Sequence, residues 1–320
     1  SNHERAATQR VADTIAKSTG DRTLTDTADI LLCTVNEHEN RETQAAFGRS
    51  APPAVTKGRY RYWDYGVIGG ARVVHAQCEM GDLPGGKVVR AAIDSWNPSL
   101  VIAVGIAWGA LDTEHAIGDI LLASPLVDAA HRAVKPDGIR PRGKQFPQTD
   151  SILQITKSCY TDWNNLHGGS AAPLHVGEML SLPTLLDNED ERTRMLKAYP
   201  KAIGGEMEGR GIVDAATEQK RDWLLLKAIC DWGMKKNVND AQKEIDQRLA
   251  AKNAAEFMRF AVENGLAQWA VQQRVSHAPP ATSPSSNSVT MTIGTVSGGT
   301  VIGNASTVNI GVFDDGSKKS

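Results

Sequence analysis

The chain has 320 residues, a formal net charge of −2 and 41% hydrophobic side chains, of which aromatics make up only 5% of the sequence. That length suits one large α/β domain with appendages, or two small domains. The near-zero charge excludes a nucleic-acid-coating surface, and 29 glycines with few aromatics favour a core of Val, Ile, Ala and Gly over an aromatic-rich sandwich. No apolar run approaches the roughly 18 residues needed to cross a bilayer, and the polar start Ser1–Arg5 does not resemble a signal peptide.

Residues 4–18 have a helical composition with a weak apolar stripe at Val11, Ile15 and Ala16, and predict a helix within an N-terminal extension, 1–27. Asp29–Val35 is an apolar run of strand length, expected as the first buried strand. The polar cluster Asn36–Asn40 follows it, where open α/β sheets receive ligands. Trp63–Ile68 and Ala71–Cys78 flank Gly69-Gly70 as a hairpin, and Gly85-Gly86 opens a helix through Val88, Ala92 and Trp96. Leu100–Val104 is a second fully apolar strand. It runs into Gly105-Ile106-Ala107-Trp108-Gly109, expected as a turn whose small residues let backbone approach a ligand.

Gly118–Ala123 predicts another strand. Residues 132–150 are basic and interrupted by Pro136, Gly138, Pro141, Gly143 and Pro147, the composition of a long active-site loop or lid. A charged helix over Asn188–Ala198, a helix over Gly211–Lys220, a buried strand over Trp223–Cys230 and a long amphipathic helix over Glu244–Trp269 follow. Strands alternating with helices predict a three-layer αβα domain with a central mixed β-sheet over 28–275.

The composition then changes. Residues 276–288 are a Pro/Ser linker, 289–313 form an uncharged stretch rich in Thr, Val and Ile with Gly and Asn turns, and 314–320 are polar. The middle stretch has the character of a self-pairing β-arch and is too small for a core of its own. Cys33, Cys78, Cys159 and Cys230 include no CxxC pair, so reduced thiols in a cytoplasmic protein are expected. His75, His115, His131 and His175 lack metal-ligand spacing; neither metal nor cofactor is expected.

Three spaced segments carry a resemblance: Gly105–Gly109 after a central strand, Gly205-Glu206-Met207-Glu208-Gly209, and Ile229-Cys230-Asp231 at the end of the next strand. Together they resemble the purine nucleoside phosphorylase superfamily over roughly three quarters of the chain. Methylthioadenosine/S-adenosylhomocysteine nucleosidases are nearest in pattern, and nucleosidase effectors of bacterial defence systems are similar. The resemblance implies an N-glycosidase acting on a purine nucleoside or nucleotide of the adenosine, AMP or ATP class. It also implies a homo-oligomer, since members of the family often complete the site across subunits.

Cleaving the base–ribose bond builds positive charge on the sugar and negative charge on the leaving base. By resemblance, Asp231 is the acid that protonates the base, and burial among apolar neighbours is the means by which it would keep its proton. Glu208 would accept hydrogen bonds from the ribose hydroxyls, which suits a carboxylate with two acceptor oxygens. Met207 would pack on the sugar, and Glu206 is either a ribose partner or a supporting carboxylate. Glu39 matches the water-activating glutamate, with Glu37 the alternative in a shifted register. Gly105, Ile106, Ala107 and Trp108, with Trp232, are expected beside the base.

The family's phosphorylases use arginines near the first Gly-rich turn. Asn36–Asn40 holds no Gly-Arg pair, so water is the expected nucleophile. Arg132, Lys135, Arg140, Arg142 and Lys144 could grip the phosphates of a nucleotide.

Val308-Asn309-Ile310-Gly311 is similar to the core of homotypic motifs in cell-death signalling. That likeness implies a defence effector assembled with itself, or with an NLR/STAND-type receptor, through 289–313. The same motifs also fit a housekeeping methylthioadenosine/S-adenosylhomocysteine nucleosidase or purine nucleoside phosphorylase with an incidental tail, or an inactive nucleoside-sensing module. Neither a nucleic-acid nor a membrane partner is expected.

Overall fold

The first strand, β1 (Ile30–Thr34), is buried along its whole length, as five residues without a charge require of a strand covered on both faces. A computed structural model describes residues 27–48, 53–136, 138–234 and 240–277. The expected N-terminal helix, the β-prone stretch 289–313 and the polar end lie outside the described residues.

In chain order, β1 leads to α1 (Glu37–Phe47), β2 (Ala54–Lys57), β3 (Tyr60–Ile68), β4 (Ala71–Gln77), α2 (Asp82–Trp96), β5 (Leu100–Gly109) and β6 (Ile120–Asp128). Three short strands follow, β7 (Arg132–Lys135), β8 (Gly138–Pro141) and β9 (Gln145–Phe146), then α3 (Asp150–Leu166) and β10 (Leu174–Ser181). The described part ends with α4 (Glu189–Ala198), β11 (Ala202–Glu206), α5 (Gly209–Glu218), β12 (Asp222–Asp231), α6 (Asp240–Ala261), a π-helical turn at Val262–Leu266, and α7 (Ala267–His277). The last helix runs two residues into the segment expected as linker.

The main sheet is mixed, in the order β11-β10-β6-β12-β5-β1-β4-β3-β2, with β9 on β6. β1 lies parallel between β4 and β5, and β5 lies parallel to β12. Alternation along the strands sorts side chains into two layers. Leu31, Cys33, Val101, Ala103 and Leu225 pack on α2 and α5 through Val89, Trp96, Ile212 and Val213. Ile30, Leu32, Ile102, Val104 and Leu226 pack on the other side against Phe257, Met258 and Leu266. This is the expected three-layer arrangement.

The sheet also curls onto itself. β11 pairs antiparallel with the end of β5, Gly204 opposite Gly109 and Gly205 opposite Trp108, which closes β5, β12, β6, β10 and β11 into a ring. The closure needs the two glycines. A Cβ at Gly204 would lie 2.4 Å from the Trp108 carbonyl oxygen, and one at Gly205 would lie 2.6 Å from the Trp108 ring.

Two expectations are corrected. Gly105–Gly109 is the second half of β5 rather than a turn, because its backbone is paired with β12 and β11. Residues 132–146 are not an irregular lid: β7 and β8 form a hairpin with Ala133 opposite Arg140, and β9 joins the main sheet. Gly204→Ala should lower the unfolding free energy by about 1–3 kcal/mol, the usual range for overpacking a filled site. Thermal melting of the variant beside the wild type checks this.

Candidate active site

Where β1 ends, Asn36 caps α1: its Oδ1 accepts from the Glu39 amide at 2.9 Å. The Glu39 side chain returns to the Asn36 amide at 3.2 Å and the Val35 amide at 2.7 Å, a reciprocal capping box. Its other oxygen, Oε1, accepts from the Ile106 amide at 2.8 Å and from Lys227 Nζ at 3.2 Å. Glu39 is thus buried with four donors around it, while Glu37 is exposed on the helix surface. Of the two, Glu39 is the one that lines the cavity described below.

Gly105 has its reason here. A Cβ at that position would lie 1.9 Å from Glu39 Oε1 and 2.8 Å from Lys227 Nζ. The glycine leaves room over β5 for the carboxylate to reach the ammonium from the adjacent strand. Lys227 is only 1% exposed. Burial works against its charge, but Glu39, Glu206 and Glu208 outweigh that and raise its pKa above the ordinary lysine value.

The chain from β11 into α5 supplies the other two carboxylates. Glu206 Oε2 accepts from the amides of Glu208 at 3.0 Å and Gly209 at 2.6 Å, so it braces the turn from beneath. Burial raises its pKa, with Lys227 working the other way. Glu208 stands at the head of α5, 7% exposed, and accepts a 3.4 Å contact from the Gly81 amide. Burial, then the charge of Glu206, push its pKa up to about 7.

Arg210 ties this turn to three other elements. Its Nε donates to Asp82 at 2.8 Å, its Nη1 to Asp128 at 3.3 Å, and its amide to Ser181 Oγ at 2.9 Å. The head of α2, the end of β6 and the end of β10 are thereby fastened behind Glu208.

Asp231 ends β12, just past a register shift at Cys230. The irregularity turns it toward the cavity mouth, so it is half-buried rather than enclosed by apolar side chains as expected. Its Oδ1 accepts from the Gly233 amide at 2.7 Å, and the Cys230 thiol points at Oδ2 from 3.3 Å.

Glu39, Glu206, Glu208 and Asp231 share one cavity of about 150 Å³. Its remaining walls are largely apolar, with Ile106, Ala107 and Trp108 from β5, Met207, and the exposed Met80 and Leu185 at the rim. Among the described residues none that lines it is Arg, Lys or His. Trp232 is not in the wall; its ring packs over Gly109 instead. Among the described residues no group of three His, Cys, Asp or Glu could hold a metal ion.

None of the five basic residues expected on phosphate lines this cavity. Arg132 is paired to Glu191 at 2.9 Å. Lys144 lies 3.6 Å from Asp214 and 4.6 Å over the Phe146 ring, and Arg142 is exposed. Lys135 and Arg140 line a separate groove against α4. Lys227 and Arg210 went unnoticed at the level of sequence; the signal for Lys227 is one lysine in the otherwise apolar run Leu224–Cys230.

The family model of the phosphorylase superfamily matches residues 39–263. The chain belongs to that superfamily. It is 27% identical over 188 residues to a death domain-containing ATP nucleosidase of Amphimedon queenslandica, a match covering 53% of this chain and 35% of that protein's length. It is 25% identical over 170 residues to a 5'-methylthioadenosine/S-adenosylhomocysteine nucleosidase of Staphylococcus haemolyticus, covering 52% and 71% respectively. The fold is that of the Neisseria meningitidis 5'-methylthioadenosine/S-adenosylhomocysteine nucleosidase solved with methylthio-immucillin-A, at TM-score 0.62 and 18% identity over 73% of this chain and 98% of that one. Futalosine hydrolase of Helicobacter pylori has the same fold, at TM-score 0.63 and 15% identity over 75% and 99%. Among the described residues no helix is long and apolar enough to cross a membrane.

Lys227→Met should cost about 3–5 kcal/mol, because it leaves buried carboxylates without their cation. It should also raise the Glu208 midpoint above its wild-type value near 7, which carboxyl infrared or NMR titration reads. In the wild type Glu208 titrates higher folded than its ordinary value of 4.5, so its contribution to stability is full below about 4.5 and is lost as pH rises through about 7.

Proposed function

We propose that the protein is an N-glycosidase that hydrolyses the base–ribose bond of a purine nucleoside or nucleotide. The observation that carries this reading is the convergence of Glu39, Glu208 and Asp231 on one cavity with an acidic floor and apolar walls. A purine nucleoside has the same two characters: a flat, mainly apolar base and a polyhydroxyl sugar. Ionised Glu208 accepts from the ribose hydroxyls, with Met207 beside the sugar, while Ile106, Ala107 and Trp108 border the base.

As the bond from C1′ to the base nitrogen breaks, its electron pair moves into the purine ring and Asp231 delivers a proton to the base. Water attacks the oxocarbenium-like C1′ and its proton passes toward Glu39. The two contacts at 3.2 Å, from the Asn36 amide and Lys227, are the weaker of the four on Glu39 and the ones a water would loosen. Lys227 holds Glu39 in place until then, and Glu206 holds the turn that presents Glu208.

Water is favoured over phosphate on electrostatic grounds. Three carboxylates surround one ammonium at the floor, and a phosphate dianion brought to C1′ would meet net negative charge. The Amphimedon relative supports an ATP-class substrate. A second reading, methylthioadenosine, is supported by the Staphylococcus relatives and by the apolar rim at Met80 and Leu185.

Our proposal extends to a cytoplasmic, homo-oligomeric defence effector that assembles with itself, or with an NLR/STAND-type receptor, through 289–313. The uncharged, Thr- and Val-rich sequence of that stretch supports this, as does a relative that joins an ATP nucleosidase to a death domain.

Asp231→Asn should lower kcat about 10²–10⁴-fold, the usual contribution of a general acid, while the melting temperature stays near the wild-type value. Added inorganic phosphate should leave the wild-type rate unchanged and yield free sugar rather than a sugar 1-phosphate. Chromatography of products from methylthioadenosine, AMP and ATP decides both points; unchanged turnover in the variant sinks the assignment. A peptide of residues 289–313 should form thioflavin-positive fibres, and a peptide that stays monomeric removes the assembly role.

A further inference from the structure

Helix α6 packs through small and apolar residues, with Ala250, Ala251, Ala254, Phe257 and Met258 buried. Gln247 lies three residues before Ala250 and four before Ala251, so helical spacing puts it on that same face. It is the polar end of the stripe. Instead of joining the core it lines the cavity of Glu39, Glu208 and Asp231.

Contacts on either side of Gln247 fix where on the wall it stands. Glu244, one turn earlier, meets His38 Nε2 at 3.2 Å, and Arg248 meets Glu42 at 3.3 Å. Both partners belong to α1, whose N-cap, Asn36, lines the same cavity. Helices α1 and α6 cover one face of the sheet through Phe47, Phe257 and Met258, whereas α2 and α5 cover the other through Val89 and Ile212. Glu208, at the head of α5, therefore enters the cavity from one side, and Asn36 and Gln247 enter it from the other.

The two amides differ in what they can still offer. Asn36 Oδ1 is taken by the Glu39 amide at 2.9 Å, which leaves Nδ2 as a donor. The half-buried Gln247 amide has no hydrogen-bond partner among the described residues. Such a group has lost part of its water and received nothing from the protein in return, and a polar ligand atom makes up that loss.

A ribose held by Glu208 through its 2′- and 3′-hydroxyls turns its opposite edge, toward C5′, to the α1 and α6 side. We propose that Gln247, with Asn36 Nδ2 beside it, reads the substituent on C5′ and selects an oxygen there, as hydroxyl or phosphate ester, over a thioether. An amide both donates and accepts, so it pairs with a hydroxyl either way and donates to a phosphate oxygen, whereas a thioether sulfur is a weak acceptor and no donor. The inference rests on the reading of the cavity as a nucleoside site, and it favours the adenosine and nucleotide class over methylthioadenosine.

The test compares the full-length wild type with Gln247→Leu. Asn36 is left in place because it caps α1. Adenine release is measured from adenosine, 5′-deoxyadenosine, methylthioadenosine and AMP. Adenosine and 5′-deoxyadenosine differ by one oxygen, and wild-type kcat/KM should favour adenosine by about tenfold, the worth of a hydrogen bond to an otherwise unpaired group. Gln247→Leu should bring that ratio to within about twofold of unity by slowing adenosine, with 5′-deoxyadenosine nearly unchanged and methylthioadenosine no slower. AMP should fall together with adenosine where a phosphate ester is also held, and should be spared by both proteins where the hydroxyl alone is taken.

A wild type indifferent to the 5′-oxygen, or a variant that slows adenosine and 5′-deoxyadenosine alike, would overturn the inference. Should the wild type release adenine from none of the four, the catalytic reading fails. Calorimetry with adenosine and 5′-deoxyadenosine then judges the subsite: tighter adenosine binding that the substitution abolishes upholds it, and equal or absent binding refutes it.

Discussion

Lys227 is a full positive charge inside a β-sheet, and the active region is arranged around the need to satisfy it. Taking an ammonium out of water costs several kcal/mol even after relaxation. Here the cost is met by Glu39 at 3.2 Å, with Glu206 and Glu208 close enough to shift its ionisation. The same contact orders the carboxylates. Glu39 is held between two strands and the head of a helix, Glu206 is locked under a turn, and Glu208, with the least compensation, is pushed up to about 7. Three carboxylates with one ammonium give a floor that is acidic and ordered before any ligand arrives, which is what stabilising a cationic transition state requires.

The fold exists in a form that permits this contact. The Glu39–Lys227 contact lies directly over the β5 backbone, and only a glycine at 105 leaves room for it. Closure of β11 on β5 through Gly204 and Gly205 brings the Glu206–Glu208 turn to the side of the sheet that α1 and β12 already serve. Arg210 then fastens that turn to α2 and β6. Small residues in these segments are spaces kept for partners, more than turns.

Charge is partitioned across the molecular surface in the same spirit. Among the described residues the candidate cavity is lined by carboxylates and apolar groups without a cation, whereas Lys135, Arg140, Arg194 and Lys197 line a separate groove.

Much of this was legible in sequence. Apolar runs such as Asp29–Val35 and Trp223–Cys230 are strands because nothing else buries such runs in an α/β chain, and Glu39, Glu208 and Asp231 sit where strands end, within range of local motifs. Helix α3 and strand β10 were not legible, since each mixes polar and apolar residues and is only partly buried. The stretch Gly105–Gly109 has the composition of a turn and the pairing of a strand, and composition carries no information on pairing. The sequence by itself determined the layered fold class and singled out carboxylates that line one cavity, because both depend on residue type and short-range spacing. Only the tertiary structure decided that Lys227 serves Glu39 from 188 residues away, that Asp231 is half-open, and that the hairpin's basic residues face α4 and lie outside the catalytic cavity. Those outcomes depend on which strands become neighbours, and long-range pairing is a property of the closed sheet as a whole.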